Sequence, residues 1–412
     1  MIQYKKAIIE LKKNKLRIKN EYIKVEKSLN RISAANLKSP SNYPAADNTA
    51  FDGYAVNSKE TINLNNSLQK KFKIIKILAA GDNPKIKKVD KFSAVEVMTG
   101  AIIKKPFDSV VPIENIKYYP NSKYPKYILL NKKIRRNNFI RFSGSDFKKG
   151  EKVILKGESI NPRHILAFKS LGIKKILVKK KPKIIFYSTG NEISNKYKIP
   201  SWKIRNSNNY YLKSFTENLP FSFQEKKILR DNDQKKFKKE ISLNLKSGTD
   251  LIITSGAVSA GKFDFVPKII KKFKFNYSFK GSYIRPGKPI MFTKFKNNKA
   301  FFGLPGNPIS SAACFRFFVL PFLYFSVGFI EAKPINAKIK NSFIKRKNFT
   351  RFVKGKISFS KKGIAEFEIN KGQESFRIKS FISSNCWGLF PSGKQKFNKG
   401  DHIKCYSPTG VK

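Results

Sequence analysis

Six short segments rich in glycine, proline and aspartate punctuate the chain, and several stand directly after an apolar, β-forming run. They are Asp47-Asn-Thr-Ala-Phe-Asp-Gly-Tyr-Ala-Val56, Met98-Thr-Gly-Ala101, Ser188-Thr-Gly-Asn-Glu192, Thr254-Ser-Gly-Ala-Val-Ser-Ala-Gly261, Arg285-Pro-Gly-Lys-Pro289 and Gly303-Leu-Pro-Gly-Asn-Pro-Ile-Ser310. Small residues in such runs let a backbone turn tightly or approach a ligand closely. The carboxyl end of a strand is where α/β sheets bind phosphorylated or anionic ligands. Any one of these segments is common; six in this order are highly specific.

The pattern between the segments divides the chain. Residues 1 to about 40 read as helical and charged, and residues 41–178 as a β-rich mixture of short strand-like runs and turns. A helix is expected over 161–172, with proline at its start and glycine at its end. The basic run from Lys179 to Lys183 reads as a linker. Beyond it, strands at 184–187, 250–253 and 301–304 alternate with helices at 208–218 and from about Ser310, which predicts βαβ units and a mainly parallel sheet. From about Lys333 short runs alternate without a helical period, predicting a small all-β domain. The expected domains are residues 1–178, 179–330 and 331–412. Residues 317–330 form an apolar stretch between Arg316 and Glu331 that contains Pro321. A membrane span needs ~20 residues, so a buried helix with its exit turn is expected and no membrane contact.

Composition pulls towards another class. A net charge of +59 suggests a surface for nucleic acid. However, only 13 of the 86 basic residues are Arg, the lysines are scattered, and Phe, Ile and Asn are also abundant. Lys, Ile, Asn and Phe share A/T-rich codons, so the charge reads as base composition, and no specific nucleic-acid partner is expected. It can still speed the capture of anionic substrates. Cys314, Cys386 and Cys405 are far apart and form no CxxC pair, which argues against a disulfide framework or zinc site and fits a reducing cytoplasm. The first residues lack an apolar signal-peptide core, consistent with a cytoplasmic location. The two histidines, His164 and His402, are too few for a His-rich metal site, and His164 at a helix start reads as structural.

Converging at strand ends, Ser188-Thr-Gly190, Thr254-Ser-Gly256 and Leu304-Pro-Gly-Asn-Pro308 would offer backbone N–H groups, hydroxyls and a helix N-terminus to a phosphate or other oxyanion. No Walker A sequence or GxGxxG is present, so ordinary ATPase and dinucleotide readings lack support. Asp52, Asp146, Glu192, Asp231 and Asp264 recur in or between the loops. Singly each reads as a cap or turn residue; with anion-binding loops they suggest a Mg²⁺-assisted reaction at a phosphate. Arg285 and Lys288, on a proline-stiffened loop, suit an oxyanion, with Arg351 and Arg141 as further cations.

Taken in order, these segments resemble the molybdopterin molybdenumtransferase family, the MoeA and gephyrin E-domain proteins, over nearly the whole chain. The family's FDNSAMDGYAV-like segment corresponds to residues 46–56, its MTGAP to 98–101, IRxxGxD to 140–146, STGDE to 188–192, SGGVSxGxxD to 255–264, KPGKP to 285–289 and GLPGNPVS to 303–310. A weaker match covers Phe349-Thr-Arg351, Gln373-Glu-Ser375 and Asn385.

The resemblance implies a multidomain α/β and β fold: a helical linker region with a β-rich domain, a central molybdopterin-binding α/β domain with a mainly parallel sheet, and a small C-terminal β-barrel. It implies insertion of molybdate into adenylylated molybdopterin with release of AMP, assisted by Mg²⁺. It implies an elongated homodimer, with the molybdopterin adenylyltransferase and acceptor molybdoenzymes as further partners. By position, Asp52, Thr99, Asp146, Glu192, Asp231 and Asp264 would line the catalytic cleft, with Glu192 and Asp264 as metal ligands. Ser188, Thr189, Gly190, Ser255, Gly256, Ser259, Pro305, Gly306 and Asn307 would cradle the pterin and its phosphate. Arg285, Lys288, Arg351 and Ser375 would face molybdate.

Four positions depart from the family pattern: Asn191 for the Asp of STGDE, Ala257 for the second Gly of SGGVS, Arg285 for the first Lys of KPGKP, and Ser145 for a Glu. The rival readings are the adenylyltransferase, which shares the α/β module, a non-enzymatic scaffold, and a basic nucleic-acid-binding protein.

Overall fold

The computed structural model describes residues 1–258 and 265–408. The chain forms two compact units: residues 36–155 with 162–175, and residues 1–35 with 156–161 and everything from 176 onward.

The first of these units is built on a six-stranded mixed sheet. Side by side lie Ser109–Pro112, Gly53–Val56, Ser93–Val97, Lys70–Leu78, Tyr127–Leu130 and Lys117–Tyr119. Gly53–Val56 is antiparallel to both neighbours and buried on both faces. Alternate residues therefore feed two cores. Tyr54 and Val56 pack with Phe72 and Ile128, while Ala55 packs with Val95, Val97 and Val110. Gly53 has no room for a side chain, because a Cβ there would collide with the Val111 carbonyl. The helix Pro162–Ser170 begins with its proline, and Gly172 past its end takes φ 71°. His164 stacks on the buried ring of Phe168 with centroids 6.2 Å apart, which fits the structural role expected of it.

The other unit holds the α/β sheet. Its order is Ser222–Glu225, Lys183–Ser188, Leu251–Ser255, Ala300–Leu304, Met291–Phe295 and Phe275–Lys280. The first four strands are parallel and the last two close the edge antiparallel, so the sheet is mainly parallel as expected. Ser188 is level with Ser255, and Ser255 with Leu304, so three strands end at one height and deliver their loops together.

After Leu304 the chain enters a 20-residue helix, Pro308–Val327, that is long and apolar enough to cross a membrane but is largely buried inside the protein. It extends back through Arg316, beyond the 14-residue stretch picked out in the sequence. The guanidinium is buried, donating to Glu331 at 2.8 Å and to the Ser407 carbonyl at 2.9 Å. Phe317 from this helix stacks on Phe352 at 3.9 Å between centroids. Phe352 belongs to a closed five-stranded barrel in which Thr350–Phe359, Ala365–Ile369, Ile335–Ile339, His402–Tyr406 and Cys386–Phe390 pair in a ring. Closure leaves no open sheet edge among these strands.

One expectation changes. The N-terminal segment is α-helical only over Tyr4–Lys13; the Asn14 amide donates to the Glu10 carbonyl, Asn20–Lys24 is a strand beside Lys175–Lys179, and Val25–Lys27 is a single 3-10 turn. Tyr22 and the β-branched Ile23 favour extension once a partner strand is supplied, which the local sequence does not show. Cys386 and Cys405, distant in sequence, lie on adjacent barrel strands. Their thiols are in hydrogen-bond contact, and that contact and burial push the Cys405 thiol up. All three cysteines are free.

Candidate active site

The loops at the level strand ends are locked to one another. The Thr189 N–H and hydroxyl both donate to the Ser255 carbonyl, at 2.9 and 3.0 Å. Gly256 N–H donates to the Leu304 carbonyl at 2.9 Å. Gly256 has φ 101°, and a Cβ there would sit 2.6 Å from the Thr189 carbonyl and hydroxyl oxygens, so only glycine fits. The Asn208 amide donates to Ser255 Oγ at 2.7 Å and to the Gly306 carbonyl at 2.8 Å. Ser188 Oγ donates to Asn206 Oδ1 at 2.6 Å. Ser188, Thr189, Gly190, Ser255, Gly256, Pro305, Gly306 and Asn307 thus come together; Ser259 lies outside the described residues.

Glu192 is exposed, and its carboxylate folds back over Gly190 so closely that a Cβ on Gly190 would strike it. Asp231 joins the same edge, its N–H donating to Asn191 Oδ1 at 3.2 Å. Asn191, where the family carries Asp, keeps an acceptor for that N–H but loses the charge. Arg230, which the sequence reading passed over, clamps the loop by donating to the carbonyls of Gly190, Asn191 and Ile193 at 3.0, 3.2 and 2.7 Å. The scarcity of arginine in this chain was the clue to it; Asn208, on an ordinary polar helix, offered none.

Two cations stand side by side next in the same unit. Ile284–Arg285 pairs parallel with Thr350–Arg351, placing Arg285 and Arg351 at one register position. Burial and then the Arg285 charge lower the basicity of Arg351, with Glu374 acting against them. Arg351 Nε is buried with no hydrogen-bond partner among the described residues. Lys288 is exposed on the same turn as Arg285. Ser375 reaches the sheet loops: its hydroxyl accepts from the Asn307 amide at 3.1 Å, and its carbonyl accepts from the Ile309 N–H at 3.3 Å. Paired guanidinium groups with hydroxyl donors suit a tetrahedral oxyanion.

The other unit holds the remaining residues. Asp52 Oδ1 accepts from the Thr99 N–H at 2.6 Å and from its hydroxyl at 2.8 Å. The backbone bond first, and then the hydroxyl, hold this exposed carboxyl below its ordinary range. The intervening strand Asn48–Thr49 pairs with Ile140–Arg141, and Asp47 accepts from the Ser143 N–H at 2.8 Å, so the Asp146 loop is tied to the same corner. Asp146 itself is exposed, its N–H donating to the Tyr43 carbonyl at 3.1 Å.

Among the described residues no three His, Cys, Asp or Glu side chains gather to hold a metal ion alone. Asp264 lies outside the described residues. The exposed Glu192 carboxylate beside the strand-end loops would suit Mg²⁺ shared with a substrate's phosphates, the mode that ion prefers, and not an all-protein cage.

Comparison with known proteins gives the same order of parts. Three family models match in series: "MoeA N-terminal region (domain I and II)" over residues 2–172, "Probable molybdopterin binding domain" over 185–324, and "MoeA C-terminal region (domain IV)" over 336–407. The molybdopterin molybdenumtransferase of Staphylococcus aureus is 29% identical over 386 residues, covering 92% of this chain and 89% of that protein. The protein of that name from Staphylococcus epidermidis is 28% identical over 406 residues, covering 98% and 94%. The crystal structure of the molybdopterin biosynthesis moea protein from Pyrococcus horikosii matches with a TM-score of 0.82 and 25% identity over 99% of both chains. On its three matched regions, its fold and its full-length relatives, the chain belongs to the MoeA family.

Proposed function

We propose that this chain is a molybdopterin molybdenumtransferase, which inserts molybdate into adenylylated molybdopterin and releases AMP. The observation that carries the reading is the convergence of three level strand-end loops beside the paired Arg285 and Arg351. Ser188, Thr189, Gly190, Ser255, Gly256, Ser259, Pro305, Gly306 and Asn307 cradle the pterin and its phosphate. Arg285, Lys288, Arg351 and Ser375 receive molybdate as a dianion. Asp52, ionised under the donors of Thr99, and Asp146 are catalytic carboxylates of the one unit, and Glu192, Asp231 and Asp264 those of the other. Glu192 and Asp264 would hold Mg²⁺, which when bound would supply charge neutralisation at the phosphates.

The same reading extends to a homodimer in the cytoplasm, which takes its substrate from a molybdopterin adenylyltransferase and hands its product to acceptor molybdoenzymes, and to domains at residues 1–178, 179–330 and 331–412.

The test supplies purified protein with adenylylated molybdopterin, Mg²⁺ and molybdate. AMP release is followed together with reconstitution of an apo-molybdoenzyme. Molybdate-dependent release with reconstitution is expected. ATP-dependent adenylylation of molybdopterin by this chain alone would instead favour the adenylyltransferase.

A further inference from the structure

The α/β sheet has a second concavity, at the edge where its strands begin. The run Lys179–Lys183, read from sequence as a linker, lies there: Lys180, Lys181 and Lys183 line a cavity of about 260 Å³ together with Arg17, Lys19 and Asp250. This is the end of the parallel strands opposite to the converging loops.

The walls are cross-linked. Arg17 N–H donates to Asn298 Oδ1 and the Asn298 amide donates back to the Arg17 carbonyl, both at 3.0 Å. Lys180 N–H donates to the Lys19 carbonyl at 2.9 Å. Lys183 N–H donates to the Asp250 carboxylate at 2.8 Å, and Asp250 N–H donates to the Lys183 carbonyl at 2.9 Å. The backbone that frames the cavity is therefore fixed by the scaffold, and it carries the five exposed cations.

Its charge is uncompensated. Five cationic side chains line it against the single carboxylate of Asp250, which the Lys183 N–H already occupies. Behind the wall, Lys294 is only 7% exposed, and its ammonium donates to Asn298 Oδ1 at 3.0 Å. Burial, and then the neighbouring Arg17 charge, push it down to about 8, with Asp250 acting against them. Lys299, next to Asp250 and bonded to the Ser247 and Thr249 carbonyls, is lowered by burial too. A buried ammonium in a field of like charges is stabilised by any anion that enters the cavity.

We propose that this cavity is an accessory binding site for a small multivalent oxyanion of the phosphate class, separate from the catalytic loops. Its size admits a compact ion and not a nucleic-acid duplex, and lysine ammonium groups are point-charge donors suited to phosphate oxygens. The site does not depend on the molybdenumtransferase reading.

The experiment is calorimetric titration of the full chain with inorganic pyrophosphate at about 0.15 M ionic strength, where loose surface attraction is screened. Saturable binding, a raised melting midpoint and an upward move of the Lys294 titration by NMR are expected. A Lys180→Gln, Lys181→Gln, Lys183→Gln variant should bind at least about tenfold more weakly, and Arg17→Gln should weaken binding in the same direction. Arg351→Gln should leave this binding intact. Absence of saturation at millimolar pyrophosphate, or undiminished binding by the triple variant, overturns the proposal. Loss in Arg351→Gln alone does so as well, by moving the ion to the catalytic loops.

Discussion

Lys354 and Gln373 hold each other through a closed pair of bonds: the Lys354 N–H donates to Gln373 Oε1 at 3.0 Å, and Gln373 Nε2 donates back to the Lys354 carbonyl at 2.7 Å. The Lys354 ammonium, buried in the barrel wall, donates on to the carbonyls of Glu374 and Arg377, each at 3.1 Å. Arg351 also donates to the Gln373 carbonyl, at 3.4 Å. The loop carrying Ser375 is thus pinned from both sides, and through Ser375 to Asn307.

Replacing Lys354 by Met removes the ammonium and strands two carbonyls, at a cost of about 1–3 kcal/mol. The larger expected effect is on the oxyanion. Half-saturating molybdate should rise roughly tenfold, while binding of the adenylylated pterin, on the sheet loops, changes little. Molybdate dependence of AMP release checks this; an unchanged half-saturation would separate the Ser375 loop from molybdate.

Asp52 and Glu192 are both exposed, so neither supports a core. Asp52→Ala and Glu192→Ala should each abolish cofactor formation and leave the melting midpoint and circular dichroism as in the parent. Thr99→Ala should fall between, because the backbone N–H remains to hold Asp52 ionised. Cofactor yield at the parent level from either carboxylate variant would remove that residue from the site.

Much of the sheet and its loops was legible because strand-end glycines are fixed by local geometry. Gly256 and Gly190 take φ 101° and 137°, conformations that leave little choice of residue. The partners of those loops were not legible. Asn208 and Arg230 act through bonds to backbone carbonyls brought close by the fold, and apart from the scarcity of arginine nothing in the sequence marks them. Lys354 was hidden for another reason. In a lysine-rich chain a buried lysine looks like every solvated one, and only burial sets it apart. The over-long N-terminal helix failed similarly, since the strand partner that extends Asn20–Lys24 comes from distant sequence.

Ala257 has φ 52°, a left-handed conformation that glycine takes freely and alanine does not. Ala257→Gly, which restores the family residue, should therefore raise stability by roughly 1 kcal/mol. Gly256→Ala should act oppositely and more strongly, because its Cβ would meet the Thr189 carbonyl and hydroxyl at 2.6 Å and force the two loops apart. Urea unfolding of the pair decides it: equal midpoints would mean that the loop relaxes around either side chain.

Stability should rise with pH above neutrality. Lys294 and Lys354 are both pushed to about 8 from an ordinary value of 10.5, in each case first by burial. Below their folded values both states are protonated and the penalty of the buried charge is constant. Between about 8 and 10.5 the unfolded chain binds protons that the folded chain has released, so unfolding becomes harder by up to roughly 1.4 kcal/mol per pH unit for each group. Buried phenols act in the other direction at the top of this window. Burial first pushes Tyr54 and Tyr187 up, so above about pH 10 the unfolded chain sheds protons that the folded chain keeps. The urea midpoint should therefore climb from about pH 8 to about pH 9.5 and turn over beyond it. Lys354→Met should show a shallower climb, since one of the two titrations is gone. A midpoint that falls steadily from pH 8 would mean that neither ammonium is held charged in a dry environment.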